Sequence, residues 1–445
     1  LNASVAQDFE PEYITISPND STAWVTLQEN NALAEINLFT NTITKLIPLG
    51  YKDHSLTENA IDASDNSFGA NFSTFPVKGM YLPDAIAHYS VNGVNYLVTA
   101  NEGDARAYSG FTEESRISGL TLDATAYPNA SEWKNTSLLG RLNATTRTGD
   151  TDGDGDIDQI HVYGSRSFSI WNPALANPLV YDSKNELEKI TFNHPTYGSF
   201  FNMSNTVGAG ALKNRSDDKG PEPEGVAIGK LGSKTYAFIA LERIGGVMVY
   251  DISNPTAPQY VTYINNRQAS TGDRGSEGII FIDAASSPNG LPLVVVSNEV
   301  SSTVTTYQIN CLVLNPTISA ASNSFCPGSS ISLSVTGISN PASYIWSNGA
   351  TSSTITTGDF GSYTVSVTDA NGCTYSTPTK VLSNCDKPDL DNNGITDVND
   401  FLLFSPSFGL SCSGCTSDFN HDGLVNVDDF LLFAPRFNQT CSCAP

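Results

Sequence analysis

The sequence predicts a mainly β chain in which a β-propeller leads into a small β-sandwich and then a small α-helical module built on calcium loops. Three observations carry this. A skeleton made of an acid, a short β-rich run, a turn of Asn, Gly, Ser or Pro, and a second strand ending on another acid recurs four times in the first three hundred residues. All eight cysteines lie between Cys311 and Cys443, which marks a change of construction. Two near-copies, DLDNNGITDVNDFLLFSPSF and DFNHDGLVNVDDFLLFAPRF, then close the chain. The corresponding domains are 1–310, 311–385 and 386–445.

The repeats are PEYITISPNDSTAWVTLQENNALAEINL from Pro11, PDAIAHYSVNGVNYLVTANEGDARAY from Pro83, GPEPEGVAIGKLGSKTYAFIALERIGGVMVYD from Gly220 and SEGIIFIDAASSPNGLPLVVVSNEVSSTVTTYQI from Ser276. Short strands at a period that varies with loop insertions are how propeller blades read, since one small sheet cannot bury both faces alone. The opening acids Glu12, Asp84, Glu224 and Glu277 and the closing acids Glu29, Glu102, Glu242 and Glu299 occupy matching places, so stacked blades gather them near one ring. Two unit charges about 5 Å apart repel by about 3 kcal/mol at an effective dielectric near 20, so a cation belongs among them. Strands around Val162 to Tyr181 read as a fifth blade. Five blades leave an open arc with unpaired edges, so the expectation is that N-terminal blades are missing and come from an upstream segment or from self-association, or else that the blades close in a smaller ring.

Composition narrows the partners. With 46 acidic against 22 basic residues the net charge is −24, and phosphate neutralisation needs clustered Lys and Arg that are absent, which excludes nucleic acid. Calcium is the natural counterion. No apolar run reaches membrane-spanning length. An even number of cysteines confined to small, loop-rich modules points to disulfides formed outside the cytoplasm, hence to an extracellular or cell-surface protein.

Along the chain, Tyr51 to Lys78 has no sustained period and reads as a long inter-blade loop, with His54 as an ordinary surface histidine. In GDTDGDGDID, Asp150, Asp152, Asp154 and Asp158 fall on positions 1, 3, 5 and 9 of a calcium loop, with the carbonyl of Asp156 at position 7. Position 12 is His161, so the usual closing carboxylate is missing. Arg106, Arg215, Lys219 and Arg243 stand close in sequence to the repeat acids. They read either as structural partners of the ring or, in a calcium-dependent phosphate-ester hydrolase, as an anion clamp. No G-x-S-x-G nucleophile and no zinc spacing is present.

DFEPEYI, YLVTANEGDAR, GDTDGDGD, GSRSFSIW, RSDDKGPEPEGV, FIALERIGGVMVYD and VSNEVSSTVTTYQI resemble the choice-of-anchor I family, over residues 4 to 309. The resemblance implies a secreted bacterial propeller with an interchangeable C-terminal anchor. It also implies further blades ahead of Asp8, in a family whose members are often labelled phosphatase-like.

From Cys311 the alternation of YIWSNGATSSTI and GSYTVSVTDANGC resembles the Ig-like or PKD-like modules of secreted Bacteroidota proteins, with Trp346 and Tyr363 as core. The simplest of three connectivities pairs Cys326 with Cys373 and Cys311 with Cys385. In the tail, Asp389, Asp391, Asn393, Asp397 and Asp400 fall on positions 1, 3, 5, 9 and 12 of one loop, with the Ile395 carbonyl at 7. Asp418, Asn420, Asp422, Asn426 and Asp429 repeat this, with Leu424 at 7. Helices start at the Phe-Leu-Leu-Phe runs and pack on each other, and Cys412, Cys415, Cys441 and Cys443 staple the pair. The tail resembles a type I dockerin, although Val398, Asn399, Val427 and Asp428 lack the hydroxyl pair of cohesin-binding members. In secreted Bacteroidota proteins such tails stand before a type IX sorting domain. The leading function is therefore a calcium-binding structural, adhesive or binding propeller that self-associates or meets a protein partner, with the hydrolase as the alternative.

Overall fold

The computed structural model describes residues 4–205, 212–231, 234–268, 271–309, 315–338, 341–369, 374–385, 388–411, 415–420 and 422–441. They fall into two compact units, Leu1–Ile309 and Asn310–Pro445.

Four antiparallel sheets organise the first unit. The first runs Pro11–Ile16, Thr22–Leu27, Ala32–Asn37 and Thr42–Pro48 as an up-and-down meander. The third repeats this order with Pro223–Leu231, Lys234–Leu241, Val247–Asp251 and Gln259–Ile264, and the fourth uses Ser276–Ile282, Leu293–Asn298 and Thr303–Gln308. In each, the opening strand lies beside the opening strand of the next sheet. Alternation makes both faces of a middle sheet apolar, so successive sheets bury three separate cores. Trp24, Leu33, Leu97 and Trp171 fill the first, Val98, Phe168, Ile239 and Tyr250 the second, and Phe238, Ala240, Ile279 and Val296 the third. Every sheet among the described residues is open rather than closed on itself.

The second sheet corrects two sequence expectations. It comprises Ile86–Val91, Val94–Ala100, Phe168–Trp171 and Leu179–Asp182, so the strands taken for a fifth blade are the outer half of this one. An insertion between its second and third strands pushed the two halves apart in sequence and imitated a new repeat. That insertion, with the stretch read as a loop after Tyr51, forms a five-stranded sheet. It contains Tyr51–Asp53, Val77–Met80, Ile160–Val162, Asn143–Thr145 and Glu114–Arg116, over its own core of Ile117, Leu139 and Ile160. His54 is accordingly buried, not on the surface, with Nδ1 2.7 Å from the Asn59 carbonyl. Burial holds its ring neutral, down to about 3, with Lys52 adding repulsion.

Buried ion pairs tie the insertion and the stretch after Tyr51 to the last strand of the second sheet and to the segment that follows it. Lys52 meets Asp182 at 2.8 Å, Arg166 meets Glu188 at 2.8 Å and Lys213 meets Asp62 at 3.2 Å.

The second unit holds three three-stranded sheets between Thr317 and Asn384, around a core that includes Trp346, Tyr363, Leu333 and Val367. Helices Val398–Phe404 and Val427–Phe433 follow, each started by a capping box, Asp397 with Asp400 and Asn426 with Asp429. Phe404 and Phe433 stack at 5.6 Å in their shared core. The predicted cysteine pairing is corrected. Cys326 bonds Cys441, not Cys373, because strand Ser324–Phe325 lies beside Lys380–Asn384 and the Cys441 amide donates to the Gly394 carbonyl, which brings the chain end back to the sheets. Cys385 and Cys415 are also disulfide-bonded. Cys311, Cys373, Cys412 and Cys443 lie outside the described residues.

Trp171 is fully buried and donates its indole N–H to Thr99 at 2.8 Å while Tyr81 packs edge-on at 5.0 Å. Trp171→Ala is expected to destabilise the first unit by about 3–5 kcal/mol, read by urea unfolding of the whole chain.

Candidate acidic centre and calcium loops

The opening acids are set by a recurring backbone device. Register breaks fall between Pro11 and Ile14, Pro223 and Val226, and Ser276 and Ile279, so Glu12, Glu224 and Glu277 each sit on a bulge at the start of an opening strand. Bulges re-aim side chains, and here they turn the acid out of the alternating pattern. Asp84 lies just ahead of Ile86–Val91, and Thr26 donates to its carbonyl at 2.7 Å across from the first sheet. The closing acids Glu29, Glu102, Glu242 and Glu299 follow the ends of the second strands. Gly225 permits the approach of the third and fourth sheets, since a β-carbon there would stand 2.2 Å from the Glu277 carbonyl.

The carboxylates of Asp84, Glu102 and Glu224 form one close group and those of Glu102, Glu222 and Glu242 another, each with oxygens within 4.8 Å. Glu222 is the hub. It is fully buried in a left-handed conformation (φ 49°) and receives Arg215 at 2.6 Å, Arg243 at 2.9 Å and Lys219 at 3.4 Å. Burial works to raise its pKa, but the three cations outweigh this and hold it below the usual carboxylate range. Lys219 also meets Glu102 at 2.8 Å and Asp104 at 3.0 Å, Arg243 meets Glu242 at 2.6 Å, and Gln28 donates to Glu102 at 2.7 Å. Arg106 lies elsewhere, 3.4 Å from Asp8 and 3.7 Å from Glu113.

Of the remaining acids, Glu242 has Arg243, and the others meet no cation within 4.0 Å among the described residues. Burial, with Glu102, Glu242 and Asp84 adding like charge, pushes Glu224 up to about 11, and its Oε2 is out of water with no hydrogen bond. Burial likewise raises Asp84 to about 7, Glu242 to about 8 and Glu29 to about 8. Glu12 and Glu277 are raised too, by burial and then by Glu10 and Glu299 respectively.

In the Asp150–Asp158 loop, Asp150 accepts the amides of Gly153 and Gly155, and Asp158 accepts both the amide and hydroxyl of Thr151. Asp150, Asp152 and Asp158 form one close group, and Asp123, Asp156 and Asp158 form a second. Asp154 accepts the Asp156 amide at 3.2 Å. His161 points elsewhere, paired with Thr148 and Gln159 and stacked on Tyr51 at 4.2 Å, and burial lowers it to about 4.

The two tail loops are superposable in their bonding. Asp389 accepts the amides of Asn393 and Gly394, and Asp418 those of Asp422 and Gly423. Asp400 accepts Leu390, Asp391 and Asp397, and Asp429 accepts Phe419, Asn420 and Asn426. Asp391 and Asn420 hold the amides two residues on, Asn393 and Asp422 those of Ile395 and Leu424. Gly394 and Gly423 take the left-handed turns (φ 89° and 88°) that this winding requires.

Sequence reasoning missed three contributors. Glu222 carried a signal, the doubled acid of PEPEG. Asp104 adjoins Glu102. Asp123 carried none, because it is far from the loop that it joins.

The sequence profile of the choice-of-anchor I domain matches residues 1–255. The chain belongs to the choice-of-anchor I family. The chain is 27% identical over 190 residues to Gigasin-3a of Magallana gigas, a match that takes in 40% of this chain and 66% of the length of that relative. Among solved structures the chain is similar to the Dos1 propeller (9% identity, 84% of this chain and 68% of that one, TM-score 0.28). It is also similar to the Cps50 (Swd1) β-propeller domain of Myceliophteria thermophila (9%, 68% and 84%, TM-score 0.20). Likenesses so distant say nothing about activity. The choice-of-anchor I domain suggests a surface-associated, propeller-type protein. No described helix is long and apolar enough to cross a membrane.

A pH dependence follows with a definite sign. The folded values of Glu224, Glu242 and Asp84 lie above those of unfolded carboxyls, so between the two the native state holds protons that the unfolded chain has lost. This part of the stability is complete below about pH 4 and declines as pH rises, up to 7 and 8 for Asp84 and Glu242 and on to about 11 for Glu224. In chelator, Tm should fall over that range, and Glu224→Gln should flatten the decline. Glu222→Gln should act oppositely, destabilising by about 3–5 kcal/mol because three cations lose their shared carboxylate. Calorimetric melts across pH check both.

Proposed function

We propose that this chain is a non-catalytic extracellular or cell-surface protein, a calcium-holding propeller that binds or adheres and is carried on an Ig/PKD-like sandwich and a dockerin-like pair of loops. The observation that carries the reading is that Lys219, Arg215 and Arg243 are all turned onto Glu222. Cations committed to a buried carboxylate leave no preorganised clamp for a transferring phosphoryl group, which a hydrolase needs. Arg106, the fourth candidate, already meets Glu113 and Asp8.

Calcium fits the donors. Aspartate and asparagine oxygens with backbone carbonyls are the hard ligands this ion takes. In the tail, Asp389, Asp391, Asn393, Ile395, Asp397 and Asp400, with Asp418, Asn420, Asp422, Leu424, Asn426 and Asp429, would hold two ions. In the first unit, Asp150, Asp152, Asp154, Asp156 and Asp158 would hold another, with Asp123 supplying the carboxylate missing at position 12. At the acidic centre the unpaired Glu224, with Asp84 and Glu102, would gain most from a cation. Self-association and secretion through a bacterial route extend the same reading.

Calcium about a hundredfold above Kd should stabilise the fold by about 2.7 kcal/mol per site. Isothermal titration should count the sites, and Asp389→Ala with Asp418→Ala should remove the two of the tail. Melting unchanged by chelator would overturn the calcium reading. Turnover of p-nitrophenyl phosphate that Lys219→Gln abolishes would restore the hydrolase.

A further inference from the structure

A cavity of about 200 Å³ opens at the junction of the first sheet and the insertion, lined in part by Arg147 and Thr148 just ahead of the Asp150–Asp158 loop. Its wall brings together Glu29 and Asn30 from the end of the first sheet's second strand, Tyr51, and Arg106, Glu113 and Arg147 from the insertion. Three wall atoms are out of water without a hydrogen-bond partner: Glu29 Oε2 and Asn30 Oδ1, which accept, and Arg106 Nε, which donates. Buried polar groups left unpaired are rare in native proteins, and several on one cavity mark where a partner is to come from outside.

Charge and size select that partner. A simple anion would meet Glu29 and Glu113, and a simple cation would meet Arg106 and Arg147. A neutral polyol would bring no counter-charge to Arg106 and Arg147, and none to Glu29, whose carboxyl is held up at about 8 by burial until a cation enters. Glu113 is already engaged by Arg106, through the backbone amide at 3.2 Å and the guanidinium at 3.7 Å. That leaves an acceptor end, Glu29 with Asn30, and a donor end, the Nε of Arg106, whose terminal nitrogens meet Asp8 and Glu113, together with Arg147, whose guanidinium is propped over the Phe111 ring at 4.8 Å. The volume corresponds to roughly seven waters, enough for a molecule of six to ten heavy atoms and too little for a disaccharide or a nucleotide.

We propose that this cavity binds a free α-amino acid, its carboxylate on Arg106 and Arg147 and its ammonium on Glu29 and Asn30. Two opposite charges on one small molecule answer both ends at once, and a guanidinium fork is suited to a carboxylate. The proposal is independent of whether the acidic centre holds calcium.

Titration calorimetry of the full chain, with calcium present at neutral pH, would test the common L-amino acids one at a time. At least one should bind with a Kd in the millimolar range or tighter. Its N-acetyl and carboxamide derivatives, each lacking one charge, should bind at least about tenfold more weakly, as should the unmodified amino acid to Glu29→Gln and Arg106→Gln. Arg147→Gln, at the exposed rim, keeps the test sound where Arg106→Gln disturbs folding. Binding of no amino acid, equal binding of the blocked derivatives, stronger binding of a neutral monosaccharide, or variants that bind as well as the parent would each overturn the proposal.

Discussion

A carboxylate with no access to water needs its charge answered by protein, and in this fold the Glu222 carboxylate is answered three times, by Arg215, Arg243 and Lys219. The arrangement constrains everything around it. Lys219 reaches on to Glu102 of the second sheet, and Arg243 to Glu242 at the end of a strand of the third. The inner ends of two sheets are thus held by one ionic network. The apolar cores between sheets supply non-directional stabilisation, whereas the network sets how far the opening strands approach at that end.

The same crowding leaves some acids outside the network. Glu224 and Asp84 share the space with Glu102 but receive no cation from the side chains described around them, and burial drives both toward their neutral forms. A site that is protonated when empty and charged when a cation enters couples ion binding to proton release. The bulges at Glu12, Glu224 and Glu277 show that this concentration of carboxylates is built into the backbone and repeated sheet by sheet.

The second unit uses a different economy. Its helices have only seven residues each, too short to stand alone, and their cores are small. Capping boxes, aromatic stacking and the Cys326–Cys441 bond compensate for limited apolar burial. The paired loops wind their amides around Asp389 and Asp400, and around Asp418 and Asp429, in the same way, so the duplication in sequence is a duplication in three dimensions.

What the sequence determined by itself was local. Alternation with turn residues defines the strands, D-x-D-x-D-G spacing defines a loop whatever surrounds it, and the repeated acids mark equivalent strand ends because each copy folds by the same short-range rules. Tertiary structure decided what depends on distant segments meeting. It assigned Phe168–Trp171 to the second sheet, buried His54, joined Cys326 to Cys441, carried Asp123 to the Asp150–Asp158 loop and turned three cations onto Glu222. The first four have no signature in spacing, since an insertion of any length can separate two strands that pair. A charge chooses its partner by proximity in space, and only the packed sheets establish that.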